Sequence, residues 1–316
     1  MKHLIAILFM FTIAPLWGYS QKSTTPDSTG LPGDHFSLEG ALEMLRNAVD
    51  LEAFEKALNT EANGVNNLDL NQDGDVDYVL VEHRLDGEAH AIVLRAVVSA
   101  SESQDLAMIG IEKNGAESAV LQIIGDQEVY GDDWIVEPLD EKAVGGKGGP
   151  AAPSEMVGVV VNVWSWSCVR NVYGSGNHYW ISPFEWGYYP FWRKAWRARL
   201  WRAHQSQCFL FQPGYGIVLT NRVHRSQTIY SPFRRTSPHV RTHYKQVHAE
   251  HHIATSGKKN DAERTGPSTG KGTVQNNVVK TKKSPTQLVD SGNEVRSKKS
   301  SVTKKKVEAS KAKARK

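Results

Sequence analysis

The sequence predicts an α+β fold in which two short helices precede a four-stranded antiparallel β-meander. Three observations support it. Apolar residues recur at helical spacing between positions 38 and 58, and strand-like runs of β-branched residues begin after position 77. Asp86-Gly87 and Asn114-Gly115 interrupt those runs, and such dipeptides are strong signals for two-residue hairpin turns. The pattern predicts a domain over residues 37–140, followed by a small aromatic-rich β segment and a disordered basic tail.

The two helices are predicted from a cap and from apolar stripes. Ser37 is an N-cap candidate for the first helix, and LEAFEKALN, which starts at Leu51, is the second. Four strands follow, in DYVLVEHR, EAHAIVLRAVVS, LAMIGIEK and AESAVLQIIG. The expected core positions of these strands are apolar, and they suffice for one modest core: Val79, Val81, Ile92, Leu94, Ile109, Ile111, Leu121 and Ile123.

The ends of the chain carry targeting and low-complexity signals. Lys2 precedes the apolar run LIAILFMFTIAPLWG, which is typical of a signal peptide over residues 1–20. A membrane anchor is the weaker alternative, because Pro15 interrupts a run that is short for a span. The sequence thus predicts an exported protein that is periplasmic, outer-surface or secreted. Residues 21–36 and 141–157 have linker composition, and residues 254–316 form a Lys-rich tail predicted to be disordered.

Charge is distributed unevenly along the chain. Residues 21–150 contain 26 acidic and 8 basic residues, whereas residues 151–316 contain 8 acidic and 29 basic ones. This asymmetry predicts either attraction between the two halves or two different partners. For the basic half, the expected partners are an anionic envelope polymer, a membrane surface or extracellular DNA. A tail that only solubilises the protein is an equal alternative.

The stretch DLNQDGDVDYV has the spacing of a calcium-binding loop. Calcium takes hard oxygen ligands, and a twelve-residue loop supplies them from positions 1, 3, 5, 7 and 9 around a glycine at position 6. The matching residues are Asp69, Asn71, Asp73, Asp75 and Asp77, with Gly74 as the glycine. Leu80 at position 12 replaces the bidentate glutamate of an EF-hand, so we expect modest affinity and a structural site. A solvated acidic turn is the alternative.

This loop resembles the calcium loops of integrin-type propellers, which run directly into a strand and need no ligand at position 12. A broader resemblance rests on LEAFEKALN, NNLDLNQDGDVDYVLV, AHAIVL, SESQDLAMIGIEK, ESAVLQIIGD and WIVEP, continuing into NVWSW and WISPFEWGYYPFW. Over about residues 37–250 the chain is similar to uncharacterised exported proteins of Bacteroidetes, although the basic tail departs from them. The resemblance implies export and the calcium loop, but no activity.

Residues 158–253 are rich in aromatic residues and arginine, and seven of the nine tryptophans lie between Trp164 and Trp201. Strands are expected at GVVVNVWSW, within FLFQPGYGIVLTNRVH and at TIYSPF. FWRKAWRARLWRAH has the spacing of a cationic helix that would suit an anionic membrane or a polyanion. The alternative is a small core on which arginines stack. The candidate surface-binding residues are Trp192, Arg193, Trp196, Arg197, Arg199, Trp201 and Arg202.

Cysteine and histidine leave further alternatives open. Cys168 and Cys208 are a disulfide candidate in an oxidising compartment, or else two buried free thiols. A histidine cluster has metal-compatible spacings but more often belongs to a solvated polar stretch: His239, His243, His248, His251 and His252. Four residues on the first hairpin could form either a Glu–His pair that transfers a proton or ordinary cross-strand ion pairs: Glu82, His83, Glu88 and His90.

No nucleophile elbow, phosphate-binding loop, dinucleotide fingerprint or CxxC pair occurs in the sequence, so no catalytic residue is assigned. We therefore expect a non-enzymatic exported protein with a structural calcium loop and an adhesion or assembly role. The alternative is a module that binds polyanions or membrane surfaces through the Trp/Arg segment and the tail.

Overall fold

A computed structural model describes residues 28–132, 134–140, 160–174 and 179–253. The predicted signal peptide, the whole 141–157 linker region and the Lys-rich tail lie outside these residues. All described residues fall within one compact unit. No helix among them is long and apolar enough to cross a membrane.

Mixed α/β structure is confirmed, but the sheet has six antiparallel strands rather than the expected four. They pair in chain order: β1 (Val79–Asp86), β2 (Ala89–Val97), β3 (Ser103–Gly115), β4 (Ser118–Gly125), β5 (Ile135–Pro138) and β6 (Tyr215–Val218). The first four strands and the two hairpins that join them match the prediction, but the turn residues are Gly87-Glu88 and Ala116-Glu117, which follow the predicted dipeptides by one and two residues. The count was wrong because β5 and β6 are only four residues long and form through pairing with their neighbours.

Both predicted N-terminal helices are present, α1 (Leu38–Asn47) and α2 (Leu51–Leu58). Ser37 Oγ accepts a hydrogen bond from Gly40 N, and Asp50 caps α2 by accepting from Ala53 N. Each cap satisfies a backbone donor that the first helical turn would otherwise leave unpaired. The remaining helices are α3 (Gln127–Tyr130), α4 (Ser167–Val172), α5 (Trp201–Cys208), α6 (His224–Tyr230) and α7 (Pro238–His243), and residues 245–253 are also helical.

Helices cover both faces of the sheet. All eight expected core residues lie in one apolar cluster with α1, α2 and α4. A second cluster on the opposite face joins Ala91 and Val93 of β2 to Val223 and Tyr230 beside α6. Alternate residues of β2 therefore point into two different cores, and all nine of its residues are buried. At Gly110 of β3 an added Cβ would lie 2.7 Å from the Val223 side chain, so glycine permits this close approach.

Much of residues 160–253 differs from the strand prediction. Residues 160–163 are not in a strand, and α4 follows them. The TIYSPF segment is the end of α6 and a 3-10 turn. Only β6 is a strand in the described part of this segment, and it pairs with β5. Tertiary contacts overrode the local β propensity of these aromatic runs.

The aromatic segment also covers the opposite edge of the sheet. His83 N donates to Trp180 O at 2.8 Å, and Ser182 N donates to Val81 O at 3.0 Å, which places residues 180–182 along β1. An uncovered edge strand offers unpaired backbone groups to other chains. Residues from the second half thus pair with both ends of the meander that the first half forms.

Candidate functional site

The acidic loop is organised by hydrogen bonds from its own backbone. Asp69 Oδ2 accepts from Gly74 N at 2.9 Å, and Asp73 Oδ1 accepts from Asp75 N at 2.8 Å. Asn71 Oδ1 accepts from Asp73 N at 3.0 Å. Gly74 has a φ of 87°, a left-handed conformation that glycine adopts without strain. The five predicted ligand residues therefore lie on one curled turn immediately before β1.

Charge repulsion is concentrated at the base of this loop. Asp77 is buried, and its Oδ2 accepts a 2.6 Å hydrogen bond from Leu70 N. Burial, reinforced by the negative charges of Asp69 and Asp73, raises the pKa of Asp77 to about 7 despite that hydrogen bond and nearby Arg193. Asp69 Oδ1 is buried and has no hydrogen-bond partner. A buried oxygen of this kind has a desolvation cost that a bound cation would offset.

The donor chemistry of the loop fits a hard cation, because all five side chains supply oxygen. Their convergence is incomplete: within the described ranges, no group of three or more His, Cys, Asp or Glu side chains is placed to hold a metal ion. A calcium loop also uses oxygens other than these, here the Asn71 side chain and backbone carbonyls.

The loop is joined to the arginine-rich segment by backbone pairing. Val76 N donates to Trp196 O at 2.9 Å, and Ala198 N donates to Gly74 O at 3.2 Å. Arg197 donates to Asp73 O at 3.2 Å and lies 3.4 Å from a carboxylate oxygen of Asp75. The prediction of a helix over residues 192–203 was wrong. Residues 191–200 are non-helical, and α5 starts only at Trp201, because this stretch pairs with the loop instead.

Most of the seven candidate surface-binding residues contact the domain itself. Arg193 donates to Val76 O at 2.8 Å, and its guanidinium lies 4.1 Å from the ring centroid of Tyr189. Trp196 is only 9% exposed. Arg199 donates to Glu61 at 2.9 Å, while its backbone exchanges hydrogen bonds with Asn67.

The remaining three of the seven candidate residues make fewer contacts with the domain. The Trp192 and Tyr78 ring centroids are 6.4 Å apart, so Trp192 packs against the domain while staying half-buried. Trp201 is half-buried as well, and Arg202 is exposed. The arrangement matches the alternative in which aromatic rings pack and arginines stack on them, while Arg202 stays exposed.

The charge asymmetry is expressed as attraction between the halves. Within the part of the chain that the structure describes, six arginines of the second half form ion pairs with carboxylates of the first half: Arg197–Asp75, Arg199–Glu61, Arg222–Glu137, Arg225–Glu112, Arg234–Asp126 and Arg241–Glu128. The Asp126 side chain is 2% exposed and that of Glu137 is 6% exposed, so these carboxylates are buried under their arginine partners. Removing one partner of such a buried pair lowers the stability of a protein far more than removing one partner of an exposed pair does.

A buried polar centre at Glu55 was not predicted. Its carboxylate accepts from Tyr78 Oη at 2.9 Å, Trp180 Nε1 at 2.9 Å and Ser182 Oγ at 2.7 Å, and from Val81 N at 3.1 Å. Burial raises the pKa of Glu55, and the four donors oppose that effect. Only its position on the buried face of α2, beside Phe54 and Leu58, marks this residue in the sequence.

The histidines of the first hairpin contact each other. His83 Nε2 and His90 Nδ1 are 2.9 Å apart and both residues are buried. Burial, with a contribution from Lys113, lowers the pKa of His90 to about 4. Glu82 instead pairs with Arg84 and Arg95, and Glu88 lies 3.5 Å from Lys113. Both glutamates therefore pair with arginine or lysine side chains, as in the cross-strand pairing alternative.

Cys168 and Cys208 are free and buried, so the structure contains the thiol alternative and not the bridge. Cys208 Sγ lies 3.3 Å from His204 Nε2, one turn earlier on α5. In the C-terminal histidine cluster, the His239 and His243 rings stack at 6.3 Å and His248 Nε2 lies 2.9 Å from Glu128 O. His251 and His252 are neighbouring rings on the helical residues 245–253.

Comparison with known protein-family models, with curated proteins and with solved structures found no match for this chain. The resemblance to exported Bacteroidetes proteins therefore stays a prediction.

Proposed function

We propose that the chain is an exported, non-enzymatic protein in which the acidic loop binds calcium and clamps the two halves together. The observation that carries this proposal is the position of the loop. Its backbone pairs with residues 196–198 of the second half, while its carboxylates repel one another and leave Asp69 Oδ1 without a partner. A clamp of this kind suits a protein with an adhesion or assembly role outside the cytoplasm.

The ligands in this proposal are the oxygens of Asp69, Asn71, Asp73 and Asp77 and the backbone carbonyl of Asp75. A bound calcium ion would supply positive charge at the base of the loop. Arg197 pairs with Asp75 and with the Asp73 carbonyl from the outer side, so it neutralises only part of the loop. Extracellular calcium sites have dissociation constants of about 10⁻⁴ to 10⁻³ M, which matches a loop that lacks the twelfth ligand.

Calcium titration of the full chain tests the proposal. We expect saturable heat by calorimetry, and about 1–2 kcal/mol of added stability at 5 mM calcium. Asp69→Asn should abolish both effects. Asp86→Asn is the matched control, because Asp86 is an exposed acid at the end of β1 that lies away from the loop. Absence of heat and of any thermal shift at millimolar calcium would rule the clamp out.

The second candidate function is binding of an anionic polymer, a membrane surface or extracellular DNA. Exposed Lys194 and Arg202, together with the Lys-rich residues 254–316, favour it. Retention on heparin and on anionic vesicles measures it, with the full chain compared with a chain ending at residue 253. Retention that survives both the deletion and about 0.5 M salt would contradict a purely electrostatic mode, because such contacts are screened.

A further inference from the structure

A groove of about 740 Å³ lies between α2 and residues 180–192. Its wall is formed by six aromatic side chains: Trp180, Phe184, Tyr188, Tyr189, Phe191 and Trp192. Phe191 is fully exposed and Tyr188 is 64% exposed, although both are large and aromatic. The volume is within the range of small-molecule sites, which combine apolar walls with a few polar groups.

The rings of this groove already attract cations within the chain. Lys56 Nζ lies 5.6 Å from the ring centroid of Trp192. The Arg193 guanidinium lies 4.1 Å from the centroid of Tyr189. Both distances are within the range at which the negative face of an aromatic ring attracts a positive charge. The groove therefore presents ring faces to cations.

The polar lining of the groove is mainly acidic. Asp50, Glu52 and Glu55 line it, and Lys56 is the basic residue among the groove residues. Glu55 is committed to four hydrogen bonds at the base, as described above. Glu52 is exposed at the rim. An acidic rim around aromatic rings disfavours anions and complements a positive ligand.

From these contacts we propose that the groove binds an organic ammonium group. Aromatic cages with nearby carboxylates recognise quaternary and alkylated ammonium ions in this way. Two sources present that group: a choline-type trimethylammonium and the side chain of a lysine in a peptide. Lys56 occupies part of the groove in the manner that such a ligand would, so it is a built-in competitor. This site is separate from the calcium loop, and its test does not involve calcium.

Tryptophan fluorescence of the full chain, titrated with small ammonium compounds, tests the proposal. The probes are choline and Nα-acetyl-lysine amide, which keeps its charged side-chain ammonium group. The control is 3,3-dimethylbutan-1-ol, the uncharged isostere of choline. We expect saturable binding of at least one cation and at least tenfold weaker binding of the alcohol. Tighter binding of choline would identify a trimethylammonium ligand, and tighter binding of the lysine compound would identify a basic peptide.

Variants localise the binding. Tyr188→Ala should weaken cation binding about tenfold. Lys56→Met should strengthen it severalfold by removing the competitor. The matched control is Trp186→Ala, an exposed aromatic of the same segment that lies outside the groove and should bind as the wild type does. Circular dichroism of each variant checks the fold.

Three outcomes would overturn the proposal. One is the absence of saturable binding by either cation in the wild type and in Lys56→Met. Another is equal binding of the alcohol and choline, which would show an apolar groove without charge selection. The third is an equal loss in Tyr188→Ala and Trp186→Ala, which would place the binding elsewhere.

Discussion

The two halves of the described structure are specified in different ways. Residues 37–125 carry their structure locally, with capped amphipathic helices and two-residue hairpin turns. Residues 179–200 have almost no regular structure of their own and lie along the first half through scattered backbone bonds and stacked rings. The second half therefore covers the first half. It carries the opposite charge and pairs with both edges of the sheet.

Removing the second half by truncation should have the largest effect on the stability of the first half. A chain ending at residue 140 loses β6 from one sheet edge and residues 180–182 from the other. It also leaves Asp126 and Glu112 without their arginine partners. We expect loss of cooperative thermal unfolding and self-association through the uncovered edges, measured by circular dichroism and size-exclusion chromatography.

A chain of residues 21–253, which keeps the cover, is the control and should unfold cooperatively. A monomeric, cooperatively unfolding fragment 21–140 would contradict the view that the first half needs its cover.

The buried carboxylate Asp105 provides the next largest effect. It is fully buried, and it accepts from Arg95 Nε at 2.5 Å, Tyr230 Oη at 3.1 Å and Arg235 N at 2.8 Å. Asp105→Ala leaves Arg95 buried without its main partner and should lower the free energy of unfolding by about 3–5 kcal/mol. Urea denaturation measures it.

Arg199→Ala is the comparison, since it breaks an exposed ion pair, Arg199–Glu61, whereas Asp105→Ala breaks a buried one. Its expected cost is at most about 1 kcal/mol. Equal costs for the two substitutions would show that burial does not determine the strength of these contacts.

The smallest expected effect is a pH dependence at His204. Burial, assisted by the neighbouring charges of His35 and Arg199, lowers the pKa of His204 to about 4. The unfolded chain, with a pKa near 6.5, therefore binds the proton first as the pH falls. The stability contribution from neutral His204 is present above about pH 6.5 and is lost between pH 6.5 and 4.

His204→Gln should flatten this part of the stability curve, as measured by urea midpoints from pH 7.5 to 4. His239→Gln is the control, because His239 is exposed, and it should leave the curve unchanged. An unchanged slope in His204→Gln would show that this histidine is not protonated on unfolding in that range.

Local signals predicted the first half well. Ser37 caps α1 and Gly87 takes a φ of 57° in the first hairpin turn, so both signals act within a few residues and can be read without knowing the rest of the chain. Asn114-Gly115 indicated the second hairpin, although its turn lies two residues later. The strand count was wrong at β5 and β6, because two four-residue strands depend on each other across a long stretch of sequence. The helix expected at Trp192–Ala203 was wrong because backbone groups of the acidic loop bind that stretch.

The candidate sites were predictable only where one continuous motif contains them. The loop from Asp69 to Asp77 is such a motif, and its calcium binding stays a prediction. The aromatic groove combines α2 with residues more than 120 positions later, and Glu55 gains its donors from two separate segments, residues 78–81 and 180–182. Aromatic density near Trp192 was a visible signal, but which rings remain open to solvent depends on the packing.

The pairing of distant segments has a consequence for the order of folding. Asp126 meets Arg234 across 108 positions, and Glu55 meets Trp180 across 125. Closing loops of this length costs entropy before the contacts form, so chains dominated by such contacts fold slowly. If synthesis proceeds from the N-terminus, the carboxylates of the first half stay solvated until their arginine partners have been made. Formation of the ion pairs and coverage of the two sheet edges then belong to the last step of folding, when the whole chain becomes stable.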